Sequence, residues 1–179
     1  MRTYELLREY NLFAELFPGT AKALERSPTN VDILLRNAFK STDKRVQAGR
    51  PVTPAFLFAA LLWPSLTVRA IHLQKDGMPA LPATQEAAHQ VLLEQLQRIA
   101  VPKRFSIPTR EIWDMQERLP RRSGKRADTL LAHPRFRAAY DFLLLRESAG
   151  EPTEGLGDWW TQYQDASDSE RREMINGLS

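Results

Sequence analysis

Apolar residues recur along most of the chain at intervals of three and four, and no stretch keeps a strict alternation of apolar and polar positions. The first spacing puts apolar side chains on one face of an α-helix, whereas a half-buried strand needs the second. Proline and glycine separate the periodic segments. We therefore predict an all-α fold, built as a multi-helix bundle or as stacked helical hairpins, with no β-sheet.

Proline and glycine set the boundaries of the predicted helices. Ser27-Pro28 and Thr53-Pro54 each combine a capping residue with a proline suited to a first helical turn. Phe17-Pro18-Gly19 is expected to end the first helix, and a loop is expected over 103–108. The predicted helices cover 4–14, 28–49, 55–75, 84–100, 109–119, 127–132 and 134–148, with one or two short helices between 158 and 175.

The most apolar run, 52–63, is about a dozen residues long and is followed at once by Pro64. A membrane-spanning helix needs about 20 predominantly apolar residues. The first ten residues alternate charged with apolar positions and lack the apolar centre of a signal peptide. We expect no contact with a membrane and a cytoplasmic location.

The charge of the chain is unevenly distributed. Its formal net charge is only +3 over 179 residues. Residues 98–146 nevertheless contain twelve Lys/Arg against five Asp/Glu, and residues 147–179 contain two against eight. A basic segment of this kind attracts polyanions, of which nucleic acid is the commonest. Cysteine is absent, which excludes a disulfide framework, a thiolate metal site and a cysteine nucleophile.

The basic segment carries the candidate binding residues. Arg110, Asp114 and Arg118 recur every four residues on the predicted helix 109–119, opposite its apolar face, and the loop around Gly124 adds further cations. We predict that these side chains contact RNA phosphates. The candidates are Lys103, Arg104, Arg110, Arg118, Arg121, Arg122, Lys125 and Arg126, with Arg135 and Arg137 in second rank.

One aromatic residue near these cations is a candidate for base stacking. Phe105 follows Lys103 and Arg104 in the predicted loop, where its ring can reach an unpaired base. Trp113, Phe136 and Tyr140 lie beside apolar positions, and core packing is the expected role for each.

Two other interpretations of the basic segment stay open. Arg110 and Arg118 can simply pair with Asp114 on a solvated helix face. Alternatively, the chain is a helical protein-interaction module whose basic face docks an acidic partner or its own acidic end. Between Arg98 and Arg126 nine basic residues face three acidic ones, so local pairing leaves a surplus of positive charge.

Catalytic chemistry has no candidate residues in this sequence. His72, His89 and His133 lack the spacing of three or four with which a helix chelates a metal. Phosphate-binding, nucleophile-elbow and zinc-protease motifs are absent from the 179 residues. We therefore name no catalytic residue and no metal ligand.

Several segments together resemble the C-terminal region of bacterial poly(A) polymerases. The similar segments are Val101-Pro-Lys-Arg-Phe105, Thr109-Arg-Glu-Ile-Trp-Asp-Met-Gln-Glu-Arg-Leu119, Arg121-Arg-Ser-Gly-Lys-Arg-Ala127 and His133-Pro-Arg-Phe-Arg-Ala-Ala-Tyr-Asp-Phe-Leu-Leu-Leu-Arg146. Upstream, Thr42-Asp-Lys-Arg45 and 50–60 resemble the helical body of that family, and 4–12 with 16–18 resemble the end of its neck.

The resemblance implies a division of the chain and of the chemistry. Residues 1–18 are expected to end a neck helix, 19–149 to form a helical body with the RNA-binding region, and 150–179 to form an acidic C-terminal segment. In that family a nucleotidyltransferase head holds magnesium and ATP and adds AMP to RNA 3′ ends. The resemblance therefore implies that these residues grip RNA without being catalytic alone, that they need no cofactor themselves, and that their partners are RNA and a catalytic head. Family members often end in an arginine-rich tail, and the acidic end of this chain departs from that pattern.

Overall fold

The computed structural model describes residues 2–178, which form eleven helices and no strand. The all-α prediction is confirmed. The helices are α1 (Arg2–Glu9), α2 (Leu12–Leu16), α3 (Pro18–Arg26), α4 (Pro28–Gln47), α5 (Pro54–Lys75), α6 (Ala80–Leu96), α7 (Lys103–Arg118), α8 (Arg126–Leu131), α9 (Phe136–Ser148), α10 (Leu156–Asp165) and α11 (Asp168–Asn176).

Helix α5 is the centre of the fold. It packs against α3, α4, α6, α7 and α9, and its buried residues include Leu62, Trp63 and Leu66. Within the described residues it is the one helix long and apolar enough to cross a membrane by length and composition. The apolar run belongs to this longer helix because the helix continues through Pro64. Burial against five other helices accounts for its apolar composition.

A second hydrophobic cluster joins α7, α8, α9 and α10. It contains Leu119, Phe136, Leu143, Trp160 and Tyr163, all buried. The Trp160 indole N–H donates to the Leu119 carbonyl at 3.1 Å, which satisfies the one polar atom of that ring. Helix α10 is therefore part of a core that it shares with α7, α8 and α9.

The N-terminal helices differ from the prediction at two points. The first predicted helix is split, because Asn11 adopts a left-handed conformation with φ 55° between α1 and α2. Pro18 opens α3 instead of ending a helix, since its fixed φ suits the first turn. Gly19 follows it where α3 meets α5, and a Cβ there would collide with the Ser65 hydroxyl.

The loop predicted over 103–108 is wrong, because α7 already begins at Lys103. Pro108 lies inside this helix and is buried, as is Thr109. The Thr109 hydroxyl is 3.1 Å from the Ala55 carbonyl oxygen and 2.8 Å from that of Phe105. Burial against α5 offsets the backbone hydrogen bond that proline removes. Helix α6 likewise starts earlier than predicted, at Ala80, directly after Pro79.

Candidate nucleic-acid interface

The junction between α7 and α8 forms an open depression of about 630 Å³ that we call the α7–α8 groove. Four of the predicted RNA-binding residues surround it. Its lining consists of Leu81, Arg118, Arg121, Ser123, Gly124, Lys125, Arg126, Thr129 and Leu130.

Local packing explains why the cations gather there. Leu119 and Ala127 are fully buried and anchor the two ends of the junction in the second core. Gly124 has φ +59°, a left-handed conformation that glycine adopts without strain, and the chain turns there into α8. Between the two anchors, Arg121, Lys125 and Arg126 are exposed.

The cations of this groove have no ionic partner among the residues that the structure describes. Within the described residues, their one side-chain hydrogen bond is from the Arg126 guanidinium to the Ser123 hydroxyl, at 3.5 Å. Asp114 makes no ion pair with Arg110 or Arg118; the carboxylate instead accepts a hydrogen bond from Gln85 at 3.4 Å. Burial raises the pKa of Asp114, although the nearby arginine charges oppose that effect. Asp114 therefore attracts Arg110 and Arg118 without forming a direct ion pair with either, and Arg121, Lys125 and Arg126 keep their positive charge.

Arg122 lies apart from the groove. Its guanidinium carbon is 4.8 Å from the centroid of the Trp159 ring, and its Nε is buried without a hydrogen-bond partner. Burial lowers the pKa of this guanidinium, which nevertheless stays charged at neutral pH. Trp159 stacks in turn on Tyr163 with ring centroids 4.7 Å apart. Arg122 thus ties the α7–α8 junction to α10.

The candidates at the start of α7 are exposed but do not line the groove. Lys103, Arg104 and Arg110 are all on the surface of that helix. The Arg104 guanidinium carbon lies 4.8 Å from the centroid of the Phe105 ring, so one face of the predicted stacking residue is covered. Trp113, Phe136 and Tyr140 are buried, as predicted.

Arg135 and Arg137 lie outside the α7–α8 groove, each with a carboxylate partner. Arg135 pairs with Glu111 of α7 at 2.7 Å, and Arg137 pairs with Asp141 at 3.1 Å. Both border depressions between α4 and α9. The basic segment of the sequence is therefore divided between two surfaces.

The second surface contains cations that the sequence analysis missed. A depression of about 540 Å³, which we call the α4–α9 groove, is lined by Lys40, Lys44, Arg45, Arg50, Arg137 and Asp141, with Phe56 and Leu144 among its apolar residues. The spacing of four between Lys40 and Lys44 was an available signal. The near-balanced charge of residues 1–97 concealed it.

The acidic C-terminal segment does not neutralise either groove. Within residues 150–178 the one acidic side chain that forms an ion pair is Glu151, whose partner is Arg146 at 2.8 Å. Arg171 donates to the carbonyls of Tyr163 and Gln164, both at 3.0 Å. The Ser167 hydroxyl caps α11 by accepting a hydrogen bond from the Glu170 backbone N–H. The Glu170 carboxylate in turn accepts one from the Ser167 backbone N–H. These contacts hold the segment to itself and to α9.

The fold and its two grooves define an all-helical protein with exposed, locally uncompensated positive charge. Residues 76–179 match the family model of the polymerase A arginine-rich C-terminus. The chain belongs to this poly(A) polymerase family, which confirms the resemblance of its segments.

Individual relatives agree with the family model. The chain is 39% identical over 180 residues to Poly(A) polymerase I of Salmonella typhi, and equally to that of Escherichia coli O157:H7. It is 35% identical over 178 residues to Poly(A) polymerase I of Haemophilus influenzae. Each match covers 98% of this chain and 39% of the relative, so the chain spans well under half of the length of these relatives.

Proposed function

We propose that this chain is the RNA-gripping part of a poly(A) polymerase and that the α7–α8 groove holds RNA phosphates. The observation that carries the proposal is the set of four cations around Gly124, none of which has an ionic partner among the described residues. Surfaces of this type bind nucleic acid by replacing the counterions of phosphates. The groove offers guanidinium and ammonium groups for phosphates in place of the Asn and Gln side-chain amides that pair with base edges. Little base specificity is therefore expected.

The proposal assigns the chemistry to a different part of the protein. In the whole protein, which we place in the cytoplasm, a nucleotidyltransferase head would hold ATP and magnesium. The grooves of this chain would keep the RNA 3′ end near that head. Within residues 2–178 no three His, Asp or Glu side chains gather as a metal site. Incubation of the 179-residue chain with ATP, magnesium and an RNA oligonucleotide is therefore expected to give no extension on a sequencing gel. Extension by the purified chain would overturn this part of the proposal.

Salt dependence tests the groove directly. The variant Arg121→Gln/Lys125→Gln removes two exposed cations of the α7–α8 groove. For single-stranded RNA, the slope of log affinity against log salt is expected to fall by about 0.7 for each lost phosphate contact, or about 1.4 for the pair. Fluorescence anisotropy with a labelled oligonucleotide of about 16 nucleotides measures this slope.

The matched control is Arg2→Gln/Arg172→Gln, which removes the same charge at exposed positions outside both grooves. Its slope is expected to stay near that of the unmodified chain. Equal slopes for the groove variant and the control would overturn the assignment. Displacement of the RNA by a polyglutamate peptide at equal charge concentration would instead favour docking of an acidic protein partner.

A further inference from the structure

The α4–α9 groove is a second basic surface, assembled from residues far apart in sequence. We propose that it forms a second contact for the same single-stranded RNA, with Lys40, Lys44 and Arg50 on phosphates and the Phe56 ring against a base. The inference extends the proposed function, on which it rests.

The charge of the α4–α9 groove is strongly unbalanced. Lys40, Lys44, Arg45, Arg50 and Arg137 line it together with one acid, Asp141. Asp141 is already paired with Arg137. Lys40, Lys44 and Arg50 are exposed and have no ionic partner within residues 2–178. These three ammonium and guanidinium groups are available to a polyanion.

The framework that presents these cations is ordered by its own hydrogen bonds. The Arg45 guanidinium reaches the Pro51 carbonyl at 3.3 Å, and the Arg50 amide donates to the Arg45 carbonyl at 2.9 Å. Gly49, with φ +64°, allows the chain to reverse between them. Arg50 is thereby returned to the groove that Lys40 and Lys44 line. A preformed arrangement lowers the entropic cost of binding.

Stabilisation of the α4 C-terminus explains only part of this cluster. Lys44 and Arg45 lie in the last turn of α4, where cations interact favourably with the helix dipole. Lys40 lies one turn earlier, Arg50 follows the helix, and Arg137 belongs to α9. A helix-capping role does not require these last three side chains to line the same groove.

Phe56 gives this groove a feature that the α7–α8 groove lacks. Its ring is partly exposed and lines both the α4–α9 groove and a smaller adjoining depression of about 210 Å³. The ring is held edge-to-face against buried Phe142, with centroids 6.0 Å apart. A fixed aromatic ring among cations is the arrangement with which proteins bind single strands without sequence preference.

Helix α7 extends from the α7–α8 groove to the ion pair beside the smaller depression. Arg135 lines the smaller depression and pairs with Glu111 of α7 at 2.7 Å. Glu111 and Arg118 are seven residues apart, which places them on one face of the helix with a rise of about 10 Å between them. Arg118 lines the α7–α8 groove. In our proposal the single RNA follows this face of α7 from one groove to the other.

The test compares three double variants by anisotropy with the same oligonucleotide of about 16 nucleotides. Lys44→Gln/Arg50→Gln is expected to lower the salt slope by about 1.4, as Arg121→Gln/Lys125→Gln does, while Arg2→Gln/Arg172→Gln leaves it unchanged. Binding is expected to saturate at one RNA per chain, because the same strand occupies both grooves. Two RNAs per chain, each losing affinity in a different variant, would overturn the single path.

The outcomes separate this inference from the proposed function. A normal slope for Lys44→Gln/Arg50→Gln, with a reduced slope for Arg121→Gln/Lys125→Gln, overturns the second contact alone. The reverse pattern overturns the function of the α7–α8 groove and leaves the second surface as the binding site. Normal slopes for both variants overturn the second contact and the proposed function of the α7–α8 groove together.

The variant Phe56→Leu tests the stacking contact separately. Leucine keeps an apolar side chain against Phe142, so the fold is expected to persist with a modestly lower denaturation midpoint. Loss of one stacked base is expected to weaken RNA binding about tenfold while the salt slope stays constant, since no counterion is released. Unchanged affinity of the folded variant would remove Phe56 from the contact.

Discussion

Arg121 and Arg122 are neighbours in the chain, but their side chains lie in different surroundings. Arg121 is exposed on the α7–α8 groove, whereas Arg122 packs over Trp159 with a buried Nε. A guanidinium over an indole ring contributes about 1 kcal/mol when partly desolvated. The two arginines are therefore expected to affect different measurable properties.

Single substitutions separate these two properties. Arg122→Gln is expected to lower the free energy of unfolding by about 1 kcal/mol and to leave the salt slope of RNA binding unchanged. Arg121→Gln is expected to change stability by less than about 0.5 kcal/mol and to lower the slope by about 0.7. Urea unfolding followed by tryptophan fluorescence, together with anisotropy, measures both. If Arg122→Gln lowers the slope as much as Arg121→Gln, Arg122 contacts phosphate as the sequence analysis predicted.

At the scale of elements, one carboxylate fastens α1 to α4. Asp32 accepts hydrogen bonds from Tyr4 at 2.9 Å, from Arg8 at 2.9 Å and from Arg36 at 2.6 Å. Burial by itself would raise the pKa of Asp32, but these hydrogen bonds and the two arginine charges outweigh it and lower the pKa. Burial and the contact with Asp32 raise the pKa of Tyr4 to about 12, so its hydroxyl remains a donor at neutral pH.

The Asp32→Asn variant is expected to be less stable than the unmodified chain, by an amount that depends on pH. A carboxylate with a lowered folded-state pKa stabilises the fold above its unfolded pKa of about 3.9, and that stabilisation is lost as pH falls through the folded value. At pH 7 the variant is expected to be less stable by about 1 to 2 kcal/mol. The difference from the unmodified chain should shrink below about pH 4. Urea unfolding at pH 7 and pH 3 measures it.

The control for this prediction is Glu25→Gln, which removes an exposed carboxylate that forms no ion pair among the described residues. Its stability is expected to stay within about 0.5 kcal/mol of the unmodified chain at both pH values. A constant deficit of Asp32→Asn down to pH 3 would mean that packing, and not charge, holds α1 in place.

The starts of α4 and α5 were predictable from the sequence because each combines a capping residue with proline. The N-termini of α4 and α5 are found where Ser27-Pro28 and Thr53-Pro54 place them, although neither hydroxyl makes a capping hydrogen bond. The prediction failed where proline, which often ends a helix, instead opens a helix or lies within one. Pro18 opens α3 and Pro108 lies inside α7, and in the second case burial against α5 decides between the two. That burial depends on residues about fifty positions away, which local patterns do not contain.

The candidate site was predictable only in its local part. Arg118, Arg121, Lys125 and Arg126 gather because a short junction confines them, and the sequence spacing indicated this. Arg122 could not be distinguished from Arg121, since its partner Trp159 lies on a distant helix. The spacing of Lys40 and Lys44 indicated only the α4 side of the α4–α9 groove, because Lys44 and Arg137 meet only when α4 packs against α9.

At the scale of the whole molecule, the acidic end is folded onto the core and does not lie across the grooves. Leu156, Trp160 and Tyr163 are buried in the second hydrophobic cluster. Removal of one such aromatic side chain costs about 3 to 5 kcal/mol, so deletion of residues 150–179 is expected to disrupt the fold. Substitution of exposed acids is the sharper way to test whether this segment competes with RNA.

The variant Asp165→Asn/Glu173→Gln removes two exposed acids from α10 and α11 without touching the Ser167 cap. Because the segment makes no ion pair with either groove, it acts on RNA only through the screened field of the molecule. The RNA affinity is expected to rise by less than about threefold at low salt, and the gain should vanish near 0.5 M, where the screening length is about 4 Å.

The matched control for the acidic segment is Glu9→Gln/Glu25→Gln, which makes the same change in net charge on α1 and α3, at exposed positions. Both variants are expected to give similar small gains in affinity, since each acts through net charge alone. A gain more than about tenfold above the control, at constant thermal stability, would show that the acidic segment occupies a groove in solution and must leave before RNA binds. Anisotropy titrations of both variants at 0.05 M and 0.5 M salt measure this difference.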